Sequence, residues 1–442
     1  MKKTTIALIA IAAVALGAGL ALRAMREERE WTSSSRAALE AFRQGLSAEK
    51  KLYVNEAREH FARAVELDPE FTMARVKSLG LGPKSADRPR RLKELILEAD
   101  LERLSERERF LLQHRLALID RDLARADQLT SDYLERHPDD RFALTIHCDR
   151  AWGRNDLDAA ERCYTKLLEM DPTAVLPRNN LGYIRMAKGE FRAAEEAFAA
   201  YGRIAPDQAN PHDSLGELLM LTGRYGEASR EFERAVAIRS DFCASWAHLI
   251  DLALLEGDLA RAEATLGRAR EAVCPPEFVR SQECRLAIWN GAATASPADT
   301  VRLARDAECE NDVVDALSIA LLHHAAVASG DTALSGKIEA DLEKWAEGYR
   351  GGMMAALLGH VHGIRLAHEN SPDEAIARLR EADSRITYNG EGIGVVKMYN
   401  RLALARLLES TGAAAEAARI RDEVRRVNPR FADRFATIPS WN

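Results

Sequence analysis

The residues best suited to chemistry are the histidines. Five of the eleven fall in the last third of the chain: His323, His324, His360, His362 and His368. Two metal ligands on one helix must share a face, which asks for a spacing of three or four residues. His360 and His362 stand about 200° apart around a helix, and His323 and His324 about 100°. No carboxylate accompanies them at ligand spacing. They read as ordinary helix residues, and no metal or other cofactor is expected. Nothing in the chain has the order of a Ser-His-Asp nucleophile elbow, a Walker loop or a Cys-x-x-Cys-His haem attachment. The glycine-rich stretch 388–394 lacks the strand before it and the lysine after it that a phosphate loop needs, so it reads as a connection between helices. Acidic residues are abundant, but on solvated helix faces abundance does not make an acid–base pair. No catalytic residue is assigned. The alternative is an enzyme whose active site lies unrecognised in the carboxyl-terminal half, with His360 or His362 the first residues to test.

The elements that must position any site follow from a period. Ala126, Ala160, Ala194, Ala228 and Ala262 are each 34 positions apart, as are Pro138, Pro172 and Pro206, and Gly189, Gly223 and Gly257. Five blocks fit without insertion: 107–140, 141–174, 175–208, 209–242 and 243–276. A fixed period of this length marks a stacked helical-repeat array. In the block 175–208, Leu176, Leu181, Ile184 and Ala187 suit one helix, and Ala194, Ala197, Phe198 and Tyr201 suit a second. Gly189 turns the chain between them and Pro206 ends the pair. The alanine column marks the close approach of two antiparallel helices, with Phe198 and Phe232 one turn further along the same face.

These residues resemble the tetratricopeptide repeat. The likeness rests on Leu181-Gly182, Ala194-x-x-x-Phe198 and Pro206; on Leu215-Gly216 and Ala228-x-x-x-Phe232-x-x-Ala235; and on Trp246-x-x-Leu249 with Ala262. Arg121 and Asn155 depart from the glycine column, and Ser240 and Cys274 from the proline column. Such single-site losses cost about 1 kcal/mol each. The lead-in 104–109 also resembles repeat regions attached to bacterial signalling kinases and regulators, although no kinase or DNA-binding domain is present. The resemblance implies an all-α superhelical solenoid of antiparallel helix pairs that binds a peptide or protein without turning it over.

Outside the five blocks the pattern loosens but continues. Residues 36–106 read as degenerate repeat-like helices, with Ala57-x-x-x-Phe61-x-x-Ala64 and Pro69 copying the second-helix motif. Residues 277–442 read as further degenerate pairs, spanning about 280–289 with 298–308, 313–328 with 332–346, 353–367 with 372–382, and 398–408 with 413–427. At the other end, Lys2-Lys3 precede the uncharged run 4–22, which Arg23 ends. Nineteen helical residues span about 28 Å, close to the bilayer core. The small-x-small sites of a cleaved signal are poorly placed: Ala13-Val14-Ala15 sits too deep in the run. Residues 1–26 therefore read as an uncleaved transmembrane anchor and 27–35 as a polar linker. A short basic start before a long soluble domain places the repeats on the periplasmic side of a bacterial inner membrane, in a single-pass topology.

The six cysteines make no Cys-x-x-Cys. Cys148 and Cys163 fall on the two helices of one pair and are the candidate disulfide of an exported chain. Charge bears on partners. The chain carries −7, and without residues 1–26 it holds 58 basic against 69 acidic residues, a net −11. That balance disfavours nucleic acid, which needs clustered Lys and Arg. In a stack of hairpins the first helices line the concave wall. One row of equivalent positions is Arg115, Asp149, Tyr183, Glu217 and Asp251, and one turn earlier lie Asn179 and Asp213. The best-known groove of the resembled family clamps a terminal carboxylate with Lys, Arg and Asn. Here Asn179, Asn180 and Arg115 fit that style while Asp149, Asp213, Glu217 and Asp251 oppose it. A neutral or basic partner segment around Tyr183 is expected, and no small-molecule substrate.

Overall fold

The computed structural model describes residues 31–82, 87–272, 274–293, 296–309, 315–347, 351–388 and 393–437. The expected anchor at 1–26 and most of the 388–394 connection lie outside these residues. No helix among the described residues is long and apolar enough to cross a membrane. The described residues form 23 helices and no strand. The chain divides into two compact units, through Ala143 and from Leu144 onward.

In the first unit lie α1 (Arg36–Lys50), α2 (Val54–Leu67), α3 (Thr72–Leu81), α4 (Arg88–Leu97), α5 (Glu106–Ile119) and α6 (Leu123–Arg136). The stretch expected to be a linker is docked from Trp31 onward. The Trp31 indole packs edge-on against Phe42 at 5.0 Å and Phe142 at 5.5 Å. Thr32 donates through its amide and hydroxyl to the buried Glu108 carboxylate at 2.8 and 2.6 Å. Ser33 and Ser34 do the same for Asp68, and Ser35 caps α1 by accepting from the Ala38 amide. Small hydroxyl residues look like a solvated linker in composition. Here they supply the donors that buried carboxylates and a helix start require.

The second unit runs from Leu144 within α7 (Arg141–Gly153) through α8 (Leu157–Met170), α9 (Val175–Ala187), α10 (Phe191–Ile204), α11 (Asn210–Leu221), α12 (Tyr225–Ile238), α13 (Cys243–Glu256) and α14 (Leu259–Glu271). It continues with α15 (Pro276–Ala293), α16 (Pro297–Asp306), α17 (Ala316–Ala328), α18 (Thr332–Ala346), α19 (Gly351–His368), α20 (Pro372–Arg385), α21 (Ile393–Ser410), α22 (Ala414–Val427) and α23 (Pro429–Thr437). Successive helices pair as hairpins. The alanine column is fully enclosed at Ala160, Ala194, Ala228 and Ala262.

Three hairpins have a second close approach, between a first-helix glycine and a second-helix phenylalanine. A Cβ built on Gly182 would lie 2.5 Å from the Phe198 ring, and one on Gly45 would lie 2.6 Å from Phe61; Gly216 stands in the same relation to Phe232. Gly182→Ala is therefore expected to destabilise the chain by about 1–2 kcal/mol, because overpacking outweighs the gain in helix propensity. Urea unfolding of the variant checks this. Adding Phe198→Leu should return part of the loss, and an unchanged midpoint in the single variant would show that the contact relaxes freely.

The turn column has left-handed backbone whatever its residue: φ is 58° at Arg121, 63° at Asn155, 79° at Gly189, 76° at Gly223 and 78° at Gly257. The two non-glycine departures thus keep the turn and accept its strain. In the second unit this track of turns is covered by much later chain. Asn155 Nδ2 donates to the Arg385 carbonyl at 3.2 Å, and the Tyr388 amide to the Ala187 carbonyl at 3.2 Å. Asn428 Nδ2 donates to the carbonyls of Met220 and Leu221 at 3.2 and 3.1 Å, and the Arg434 guanidinium lies over Gly257. The second unit therefore winds until its late connections cap its early turns. One consequence is that α17 is buried on every side from 316 to 326.

Candidate functional site

The first helices of consecutive hairpins stand side by side, so residues about 34 apart meet across neighbouring helices. Tyr183 of α9 donates its hydroxyl to the Glu217 carboxylate of α11 and stands 3.1 Å from Ser214 Oγ. Ser245 Oγ of α13 donates to Asp213 Oδ1 at 2.5 Å. His248 Nδ1 lies 3.0 Å from Asp213 Oδ1, with its Nε2 3.8 Å from Glu217 Oε2. Further along, the buried Arg285 guanidinium of α15 bridges Asp251 at 2.6 Å and Asp315 at 2.9 Å. Burial pushes the Tyr183 phenol well above its ordinary value, and the Glu217 and Asp213 carboxylates push it further. Burial alone would lower His248, but Asp213 and Glu217 outweigh it and raise the imidazole to about 10. The imidazole is thus held as a cation between two carboxylates.

The expected row is placed unevenly. Asp149 is half-buried and accepts from the Tyr164 hydroxyl. Tyr183 is half-buried and stacks on Trp152 of α7 with ring centroids 6.2 Å apart. Asp213 and Glu217 are buried in the network just described, and Asp251 is half-buried in its ion pair. Asn179 is 5% exposed, and its Oδ1 accepts no hydrogen bond from the protein. Arg115 belongs to the first unit, where its guanidinium stands over Gly80. Cover increases from α7 to α11. Thr145, Ile146 and Asp149 of α7 are half-buried, whereas α11 is buried throughout except at His212 and Leu215. Between these helices the inner wall is more open at its α7–α9 end.

His248, Ser245 and Arg285 are not among the site residues expected from the sequence. The signal was present in the register: His248 follows Asp213 by 35 positions and Arg285 follows Asp251 by 34. The late histidines are absorbed by helix packing. His323 Nε2 lies 2.9 Å from Glu339 Oε1, and His324 Nδ1 lies 2.8 Å from Tyr399 Oη. His360 Nδ1 lies 2.9 Å from Asn400 Oδ1, and burial pushes this imidazole down to about 4. A cavity of about 340 Å³ opens beside them, lined by His324, His368, Tyr399, Arg406 and Phe435 among others.

All six cysteines are bonded in pairs. Cys148 of α7 is bonded to Cys163 of α8, with Cα atoms 5.4 Å apart. Cys243 at the start of α13 is bonded to Cys274 beyond α14, and Cys284 of α15 to Cys309 beyond α16. Each bridge ties a first helix to the second helix, or its end, in the same hairpin.

No protein-family model matches the sequence, and no curated protein matches it. Solved structures do match. The chain is similar to the Cut9–Hcn1 hetero-tetramer of the APC/C, with a TM-score of 0.51 and 16% identity over 94% of this chain and 79% of that one. It is also similar to a tetratricopeptide repeat protein from Parabacteroides merdae, with a TM-score of 0.40 and 15% identity over 65% of this chain and 98% of that one. At these identities the likeness is one of fold. Together with the 34-residue step and the paired helices, the first of them shows that the chain folds as a tetratricopeptide-repeat solenoid.

Proposed function

We propose that the chain is a non-enzymatic interaction scaffold that takes a neutral or basic segment of a partner protein against the inner wall of its second unit. The observation that carries this is the stacked, half-buried Trp152–Tyr183 pair, with Glu217 bonded behind the phenol and Asp149 on the same wall. Rigid aromatic faces are the usual anchors of protein interfaces, and the surrounding carboxylates steer a basic segment and repel an acidic one. Residues 1–26 would hold the scaffold at a bacterial inner membrane with the repeats outside the cytoplasm. The pairing of all six cysteines supports that side, because disulfides persist in oxidising compartments. The enzyme alternative draws little support. His360 is enclosed and bonded to an amide, and His362 sits beside Glu339 at 3.5 Å.

A photoreactive residue placed at 152 in the membrane-bound chain tests the reading. Ultraviolet light is expected to join it to a partner polypeptide, while the same group at Arg192, whose side chain is 95% exposed on α10, gives none. Trp152→Ala should lower partner recovery about tenfold or more. Equal adducts at both positions, or unchanged recovery, would refute the inner-wall site.

A further inference from the structure

We propose that Asp213, Glu217 and His248 form a binding site for one divalent transition cation of the zinc class within the inner wall of the second unit. The inference does not depend on whether that wall also takes a partner. Asp213 and Glu217 are one helical turn apart on α11, so their carboxylates share a face. His248 reaches them from α13. One ligand atom from each of the three lies within 4.8 Å of the others. Asp213 Oδ1 and His248 Nδ1 stand 3.0 Å apart as an ion pair, a little closer than the roughly 3.4 Å between two donors of a tetrahedral cation at about 2.1 Å, so a small opening of the pair admits the ion. The surroundings orient the donors as metal sites require: Ser245 donates to Asp213, and the Tyr183 hydroxyl holds Glu217.

Two further observations point to a cation. The first is Asn179, nine-tenths buried, whose carbonyl oxygen accepts no hydrogen bond. Asn179 stands 34 positions before Asp213, the same step that pairs Tyr183 with Glu217 and Asp251 with Arg285 across neighbouring helices. An amide oxygen there is a further neutral donor for the coordination shell. The second is charge. Along this wall Asp213, Glu217, Asp251 and Asp315 face Arg285 and His248. Four carboxylates against one guanidinium and one imidazole leave carboxylates in excess in a largely buried row. Such an excess is unfavourable. A divalent cation held by Asp213 and Glu217 offsets it. A mixed imidazole and carboxylate donor set suits zinc better than calcium or magnesium.

The competing reading of the same triad is an internal ion cluster without a metal, and the two are separable. The groups facing the imidazole are Asp213 and Glu217 of α11 and Asp251 of α13, with the apolar Phe232 ring 5.1 Å away. The full-length chain in detergent, stripped with chelator, should be titrated with zinc chloride by calorimetry. The expected result is one zinc per chain. Zinc uptake should disappear in His248→Gln and weaken at least tenfold in Asp213→Asn. No stoichiometric zinc, or uptake unchanged in His248→Gln, would overturn the site and leave the triad as an internal ion cluster. The stoichiometry is read on the unsubstituted chain, so the test stands even where a variant fails to fold.

Discussion

Arg285→Met is expected to destabilise the second unit by about 3–5 kcal/mol at neutral pH, because it leaves a desolvated pair of carboxylates without their shared cation. The guanidinium is nearly enclosed and lies 2.6 Å from Asp251 and 2.9 Å from Asp315. Asp315 keeps its other oxygen on the Leu317 and Ser318 amides, where it caps α17, so it cannot turn away without uncapping that helix. The effect has a pH signature. Burial already raises Asp251 above its ordinary value; Arg285 lowers it and Asp315 raises it further. Removing Arg285 removes the lowering influence. A carboxyl whose folded pKa lies above its unfolded value binds protons more readily in the folded state, so stability grows as pH falls through that folded value. The deficit of the variant should therefore be largest at pH 7–8 and shrink as pH falls toward the unfolded carboxyl value of about 4. Urea unfolding at several pH values reads this directly. A deficit below about 1 kcal/mol, or one that is flat with pH, would mean that the pair is solvated and contributes as a surface ion pair does. Adding Asp251→Asn to Arg285→Met should restore part of the loss, since it removes the unpaired charge as well.

The period made half of this architecture legible and hid the other half for the same reason. A repeat states which positions are equivalent. Ala194 and Ala228 must therefore both be small, and Arg121 and Asn155 must both take the left-handed turn that glycine takes at 189 and 223. The degenerate pairs could also be placed, as with 332–346, which is the helix Thr332–Ala346. A repeat does not state what covers it. Asn428 is 208 positions from Met220, and no local pattern joins them. The cap that α22 and α23 place on the early turns therefore appeared only in three dimensions. The expected partner row divides for that reason. Tyr183 and Asp149 remain half open near the start of the second unit, while Asp213 and Glu217 are closed over and paired. His248 and Arg285 are visible in the sequence as residues about one period from an aspartate, but a period alone does not say which of its equivalent positions pair.

Reduction of the three disulfides is expected to produce the largest loss of stability available to this chain without a substitution. The bridges close loops of 15, 31 and 25 residues. In the chain-entropy account each such closure contributes about 3–4 kcal/mol by restricting the unfolded state. The contributions are not strictly additive, because all three bridges constrain the same unit. Cys243–Cys274 should matter most. It closes the longest of the three loops and fixes both ends of the hairpin that carries His248 and Asp251. The measurement is denaturant unfolding of the chain with and without a reductant, alongside Cys243→Ala/Cys274→Ala. That variant is expected to lose about 2–4 kcal/mol in oxidant and to lose less than the parent when reductant is added. Thiol counting on protein taken directly from cells carries the same argument to its compartment. A repeat region outside the cytoplasm should show no free thiol among its six cysteines, and one inside should show all six. Six reactive thiols would therefore contradict the proposed side of the membrane. They would also mean that the hairpins of the second unit are held by packing alone, because the bridges stabilise the solenoid only where the compartment lets them form.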